Sequence, residues 1–77
     1  NPFNAQTTIQ YSLPAQSPVI IELFDILGRK MGTLAEEIQP AGEHQVTWDA
    51  RGQSSGIYFY RISAEAQVEI KRMMLLK

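Results

Sequence analysis

The chain has 77 residues, of which 44% are apolar, 19% charged and 9% aromatic, and its formal net charge is −1. This length and composition predict a single folded domain over residues 1–77. Seven basic residues against eight acidic ones lack the basic excess of a nucleic-acid-binding protein. Because the chain has no cysteine and one histidine, disulfides, thiolate nucleophiles and metal sites built from cysteines or several histidines are excluded.

The first half of the chain shows the alternation of β-strands. Apolar and polar residues alternate over 7–13, which predicts a strand with one buried face. Residues 19–24 are apolar on both faces and predict a central strand. Residues 25–28 predict a tight turn that ends in glycine, and 30–34 a shorter strand. Residues 35–38 fit either one helical turn or a strand end.

The second half continues the same pattern. Alternation over 44–48 predicts a strand, and a polar connection over 49–56 leads to the strongest strand signal, residues 57–62. Residues 63–67 predict a hairpin connection without glycine, and 68–76 the last strand. Six or seven short strands at a spacing of about 8–12 residues are typical of an all-β sandwich or barrel.

Residues able to carry chemistry do not form a catalytic constellation. His44 lies on an apolar strand face, so we expect it to pack at the core edge. Glu36 and Glu37 are adjacent in a predicted turn and cannot converge on one substrate atom. Asp49 lacks the ligand spacing of a calcium loop and is interpreted as a turn residue. The sequence therefore predicts no enzyme, no metal and no cofactor.

Aromatic residues offer a second interpretation. Trp48, Tyr58, Phe59 and Tyr60 could stack on a sugar, as in a carbohydrate-binding module of an extracellular enzyme. Aromatic residues at alternating strand positions more often form core and cross-strand pairs. The carbohydrate hypothesis requires these rings to be exposed and coplanar. The chain also contains no apolar run near the roughly 20 residues of a membrane helix, and its opening does not resemble a signal peptide.

The chain closes on an apolar segment between cations: Lys71, Arg72, Met73, Met74, Leu75, Leu76 and Lys77. One interpretation is a final strand whose cations protect the sheet edge from aggregation. The other is a displayed edge strand that a receptor recognises. Periodicity alone favours the first.

Several blocks along the chain form a recognisable series: Asn1-Pro2-Phe3-Asn4, Thr7-Thr8-Ile9-Gln10-Tyr11-Ser12-Leu13-Pro14, Phe24-Asp25-Ile26-Leu27-Gly28-Arg29, Pro40-Ala41-Gly42, Val46-Thr47-Trp48-Asp49, Ser55-Gly56-Ile57-Tyr58-Phe59-Tyr60-Arg61 and residues 71–77. Together they resemble the type A C-terminal sorting domain of the type IX (Por) secretion system. The immunoglobulin-like domain of flagellar hook-capping proteins shares the Trp-Asp and Ser-Gly-x-Tyr blocks. Ala5 stands where the sorting family often has proline, and the connection over 49–56 is short for the hook-cap relative.

The resemblance implies a small immunoglobulin-like antiparallel β-sandwich of six or seven strands. It implies a signal domain of a secreted or cell-surface protein of the Bacteroidota, which passes through the periplasm with a covalently linked N-terminal cargo. The implied partners are the outer-membrane type IX translocon and a sortase-like peptidase, which would cut at or before residue 1. We expect a monomer without membrane insertion. A structural assembly domain of the hook-cap kind is a third reading.

The resemblance also directs attention to particular residues. We expect residues 71–77 to be recognised by the secretion machinery, with Gly28 and Arg29 as a second surface. The alternative for that pair is a tight turn with a solvated arginine. The expected core is Ile9, Tyr11, Val19, Ile21, Leu23, Val46, Trp48, Tyr58, Tyr60 and Ile62.

Overall fold

The computed structural model describes residues 6–65 and 67–76. This part of the chain is all β, as predicted, and contains no helix. Its strands are β1 (Gln6–Leu13), β2 (Ser17–Phe24), β3 (Lys30–Gln39), β4 (Gly42–Asp49), β5 (Gly56–Ala64) and β6 (Gln67–Leu75).

The strands form two antiparallel sheets of unequal width. β1 and β4 make a two-stranded sheet, and the other four pair in the order β3-β2-β5-β6. Short connections join β2 to β3 and β5 to β6, whereas the other three connections pass from one sheet to the other. By order and pairing, β1 to β6 correspond to strands B, C, C′, E, F and G of an immunoglobulin domain. The predicted immunoglobulin-like sandwich is confirmed.

The core lies where the inward faces of the two sheets meet. Of the ten residues expected there, Tyr11 and Val46 are half-buried against the core and the other eight are buried. Ile21, in the central strand β2, is fully enclosed. Leu13, Ala50 and Leu75 complete the buried apolar cluster, although the sequence did not single them out.

The third strand includes residues 35–38, so of the two alternatives for these residues the strand is confirmed and the helical turn is wrong. β3 continues through residues 35–38 to Gln39, because β2 pairs with it along its whole length and satisfies its backbone groups. Glu36 and Glu37 are exposed as expected, but they lie in a strand and not in a loop. At its end the buried Gln39 accepts a hydrogen bond from the Tyr11 hydroxyl at 2.5 Å, which ties β3 to the opposite sheet.

The β5–β6 hairpin is tighter than predicted. Ala64 pairs with Gln67, so the connection is shorter than the expected residues 63–67. Glu65 adopts a φ of 55°, in the left-handed region that tight hairpins require. The predicted hairpin is therefore confirmed, but glycine usually supplies this conformation, and without one the sequence did not show which residue makes the turn.

Tyr58 ties the start of β5 to the preceding connection. Its hydroxyl donates to the carbonyl oxygen of Ser54 at 2.7 Å. Its ring meets Trp48 of the other sheet edge-to-face, with centroids 5.0 Å apart. A tyrosine at this place, bonded to backbone a few residues upstream, is the tyrosine corner of immunoglobulin-like domains.

Tyr58→Phe should test this corner, because it removes the hydroxyl and keeps the ring beside Trp48. We expect the free energy of unfolding, measured by urea denaturation, to fall by about 0.5–1.5 kcal/mol. An unchanged urea midpoint would show that water replaces the bond to Ser54 without cost.

Candidate functional site

β6 is an edge strand. It pairs with β5 on one side, with Gly56 opposite Leu75 and Ala64 opposite Gln67. Its other side has no strand neighbour within the described chain. The backbone N–H and C=O groups that point to that side form a row available to another strand.

The end of β6 divides its side chains between core and solvent. Leu75 is 3% exposed and belongs to the core, and Met73 packs half-buried against that core. Met74 and the following Leu76 are 62% and 73% exposed. Inward residues therefore anchor the end of the strand, while alternate residues present apolar side chains to solvent.

The cations of this segment are also exposed. Lys71 lies opposite Tyr60 and Arg72 opposite Phe59. None of the ion pairs formed within residues 6–65 and 67–76 includes either cation. Lys77, the last of the predicted recognition residues, lies outside the described residues.

The solvent face of β6 is unusually apolar. Val68 and Ile70 are 60% and 65% exposed and share this face with Met74. Because directly opposite residues share a face, the half-buried Ile57 and Phe59 of β5 continue the same surface. The alternation over 68–76 predicted that Val68, Ile70 and Met74 share one face of a strand. Only the sheet order shows that this face points to solvent.

Glu22 organises the middle of the same outer face. Arg61 Nη2 lies 2.6 Å from one carboxylate oxygen, and Lys30 Nζ lies 3.1 Å from the other. These bonds, with that of Arg61 the strongest, hold the pKa of Glu22 below its ordinary value. The Arg61 guanidinium also lies 5.2 Å from the ring centroid of Phe24. Sequence reasoning missed this cluster, because only the pairing of β2 with β5 brings Glu22 to Arg61.

The β2–β3 turn is built on Asp25. Its carboxylate accepts the backbone N–H groups of Leu27 and Arg29, each at 2.9 Å, and Gly28 has the predicted positive φ, 84°. The Arg29 N–H, more than any other group, holds the pKa of Asp25 below its ordinary value. Arg29 Nε also lies 2.9 Å from the carboxylate, although the arginine side chain is 75% exposed. The tight turn is confirmed, and its arginine is ion-paired as well as solvated.

The two predicted recognition surfaces lie at the same end of the four-stranded sheet. Phe24, just before the turn, is opposite Phe59, which is opposite Arg72. β5 alone separates β2 from β6. With neighbouring strands at about 4.8 Å, the Gly28–Arg29 turn and the end of β6 belong to strands about 10 Å apart.

The residues that could have taken part in catalysis form contacts that stabilise the fold. His44 stacks on Tyr11, with ring centroids 5.5 Å apart, and its Nε2 lies 2.7 Å from the Pro40 carbonyl oxygen. Asp49 accepts the backbone N–H of Arg51 and pairs with its guanidinium, which keeps the pKa of Asp49 below its ordinary value. Both match the roles expected of them. Within the described chain, no group of three or more acidic or histidine side chains could hold a metal ion.

The aromatic residues do not make a sugar-binding platform. Trp48 and Tyr58 are each 7% exposed and Tyr60 is 9% exposed, all within the core. Phe59 points to the other face and is half-buried. This arrangement lacks the exposed coplanar rings that the carbohydrate hypothesis required.

Comparison with known proteins decides the family. A family model described as a secretion system C-terminal sorting domain matches residues 1–76. The chain belongs to this family. No curated protein and no solved structure matches it.

The sorting domain is the signal for type IX secretion, and it directs the protein that carries it to the cell surface or the extracellular space. The family is not known as catalytic. The described part of the sorting domain has no helix that could span a membrane. Attachment to a cargo and interaction with the type IX machinery follow from the same membership.

Leu75 and Leu76 offer a matched test of the anchored end of the sorting domain. Leu75→Ala leaves a cavity in the core and should lower the free energy of unfolding by about 2–5 kcal/mol. Leu76→Ala deletes the same atoms from a solvent-exposed side chain and should change the free energy of unfolding by less than about 0.5 kcal/mol. Urea denaturation of both variants measures the difference. Equal losses would contradict the placement of β6.

Glu22 gives a pH-dependent test. Because its pKa is lower in the folded state, its ion pairs stabilise the fold above the unfolded pKa of about 4.3, and that stabilisation is lost as pH falls through the folded pKa. Glu22→Gln should therefore be less stable than wild type near neutral pH, with the gap closing in acid. Urea denaturation across this pH range measures the gap. A gap that is constant with pH would show that the carboxylate charge contributes nothing.

Proposed function

We propose that the outer-membrane type IX machinery recognises the sorting domain through residues 71–77, and that the exposed side chains of Met74 and Leu76 make the principal contacts. Two features support this. The segment lies on an edge strand, and its alternate residues present apolar surface without being needed for the core. An exposed apolar surface of this kind is typical of a protein–protein contact site.

The division of labour within the segment supports the same proposal. Leu75 and Met73 fix the position of the backbone, so the outward residues are held in a defined geometry before any partner arrives. Preorganised contacts lose less conformational entropy on binding than contacts on a free tail. The exposed cation Arg72, opposite Phe59 on the outer face, adds positive charge to the surface that Met74 presents, which suits a partner that carries carboxylates.

Gly28 and Arg29 are proposed as a second contact of the same machinery. Their turn lies at the same end of the sheet as Met74. The turn also exposes Ile26 and Leu27, at 63% and 74%. A partner that covered the end of β6 could reach these side chains across β5.

We further propose the finer steps that the family resemblance implies. The cargo is linked N-terminal to residue 1, the outer-membrane translocon carries it across, and a sortase-like peptidase then removes the whole 1–77 domain. Mass spectrometry of the exported cargo tests the removal step. A surface cargo that still carries residues 1–77 would contradict it.

A reporter protein tests the recognition proposal. Fused ahead of residues 1–77 and directed to the periplasm of a bacterium with an intact type IX system, it should reach the cell surface. Met74→Ser or Leu76→Ser should leave most of the reporter in the periplasm, because each removes an exposed apolar contact without touching the core. Surface labelling of intact cells measures the exported fraction.

Ile38→Ser is the matched control. Ile38 is 67% exposed, but it lies on β3, at the opposite edge of the same sheet. Its substitution should leave export unchanged, and circular dichroism should show that all three variants fold. Export of the Met74 and Leu76 variants at the level of the Ile38 variant would contradict the proposal.

A further inference from the structure

Ile70 of β6 lies between two side chains of opposite charge. Glu69 and Lys71 flank it and point toward the sandwich side of the sheet, opposite Ile62 and Tyr60 of β5. Both are exposed. On the solvent side, Ile70 is 65% exposed.

Neither of these two charges forms an ion pair with another described residue. The ion pairs of the described residues use other carboxylates and other cations. The narrow β1–β4 sheet does not cover this part of β6, and a groove of ≈ 1010 Å³ opens between β1 and β6, lined in part by Glu69, Lys71 and Tyr60. An anion and a cation that pair with nothing in residues 6–65 and 67–76 therefore lie beside a strand edge that is open to another molecule.

We propose that β6 pairs with β6 of a second copy, antiparallel, about a two-fold axis at Ile70. In this register Glu69 of each copy lies opposite Lys71 of the other, and Ile70 lies opposite Ile70 of the second copy. Opposite charges and apolar residues in directly opposed positions stabilise antiparallel pairs. A two-fold axis repeats each pair, so one charge pattern yields two ion pairs.

Other registers are disfavoured by the same side chains. In an antiparallel pair, directly opposed residues point to the same face of the sheet. If the outer faces of both copies lie on one side, the two-fold axis must therefore pass through a residue and not between two residues. Centring on Glu69, Lys71 or Arg72 would place like charges directly opposite each other, which destabilises the pair. An axis at Ile70 instead places Glu69 of each copy opposite Lys71 of the other, so that the opposed charges differ in sign.

The pairing extends the sheet across both copies and covers the free edge of β6. It also brings together the exposed Val68 and Ile70 of each copy on the outer face. The paired region is residues 67–73, so the exposed Met74 and Leu76 remain accessible. The inference does not rest on the proposed recognition function, although the dimer would cover the strand edge at residues 71–73 of the proposed recognition segment. The monomer expected from the family resemblance is the form that predominates at concentrations below the dissociation constant.

Charge reversal tests the proposal with the purified domain of residues 1–77. Sedimentation equilibrium up to about 1 mM, the range of weak association, should show a monomer–dimer equilibrium for wild type. Glu69→Lys and Lys71→Glu each place like charges opposite at both symmetry-related positions. Each should raise the dimer dissociation constant about tenfold or more.

Mixing the two single variants tests directly whether Glu69 and Lys71 face each other across the two copies. One copy then supplies only cations and the other only carboxylates at these positions, so an equimolar mixture should form a heterodimer at concentrations where each variant alone is monomeric. The double variant Glu69→Lys/Lys71→Glu should dimerise like wild type. Glu43→Lys, at an exposed position of β4, is the control for net charge and should leave the dimer unchanged.

The outcomes that would overturn the proposal are equally distinct. A wild-type domain that stays monomeric throughout the range removes the second copy as the occupant of this edge. A dimer that neither single variant weakens, or a mixture that does not associate, shows that Glu69 and Lys71 do not face each other across copies. Circular dichroism of every variant confirms that a lost dimer is not a lost fold.

Discussion

A two-stranded sheet cannot cover a four-stranded one, and this mismatch shapes the molecule. β1 and β4 bury the centre of the wider sheet, where Ile21 and Val19 are enclosed almost completely. At the β6 edge their cover ends, and the strand is held mainly by β5 and by Leu75 at its end. The same constraint produces both the small core and the open strand that the proposed recognition uses.

Much of the fold could be predicted from the sequence, because period-two alternation and turn residues are local signals. The buried faces of β1, β2 and β5 follow from that alternation. The full length of β3 could not be predicted, since its pairing with β2, and not its own residues, makes 35–38 a strand. The hairpin between β5 and β6 was predicted, but not its tight turn at Glu65, because that residue reaches positive φ without being a glycine.

The position of the candidate site along the chain could be predicted, but not which of its side chains face solvent. Residues 71–77 stood out by their composition and by the family resemblance, yet the sequence could not say which of them faces the core. Sheet order assigns Leu75 to the core and Met74 to solvent. The Glu22–Arg61 pair was invisible for the same reason, because its partners are 39 residues apart and meet only through the strand register. In the recognition proposed above, the sorting signal acts as a folded domain, whose core holds a few exposed side chains in place.

Site-specific photo-crosslinking inside cells shows which edge of the folded domain contacts the secretion machinery. A photoreactive residue at Met74 reports on the end of β6, and the same residue at the equally exposed Ile38 reports on the opposite edge. In a bacterium with an intact type IX system, recognition through the end of β6 should give crosslinks to outer-membrane components of that system from Met74 and none from Ile38. Equal crosslinking from both positions, or crosslinking from Ile38 alone, would contradict it.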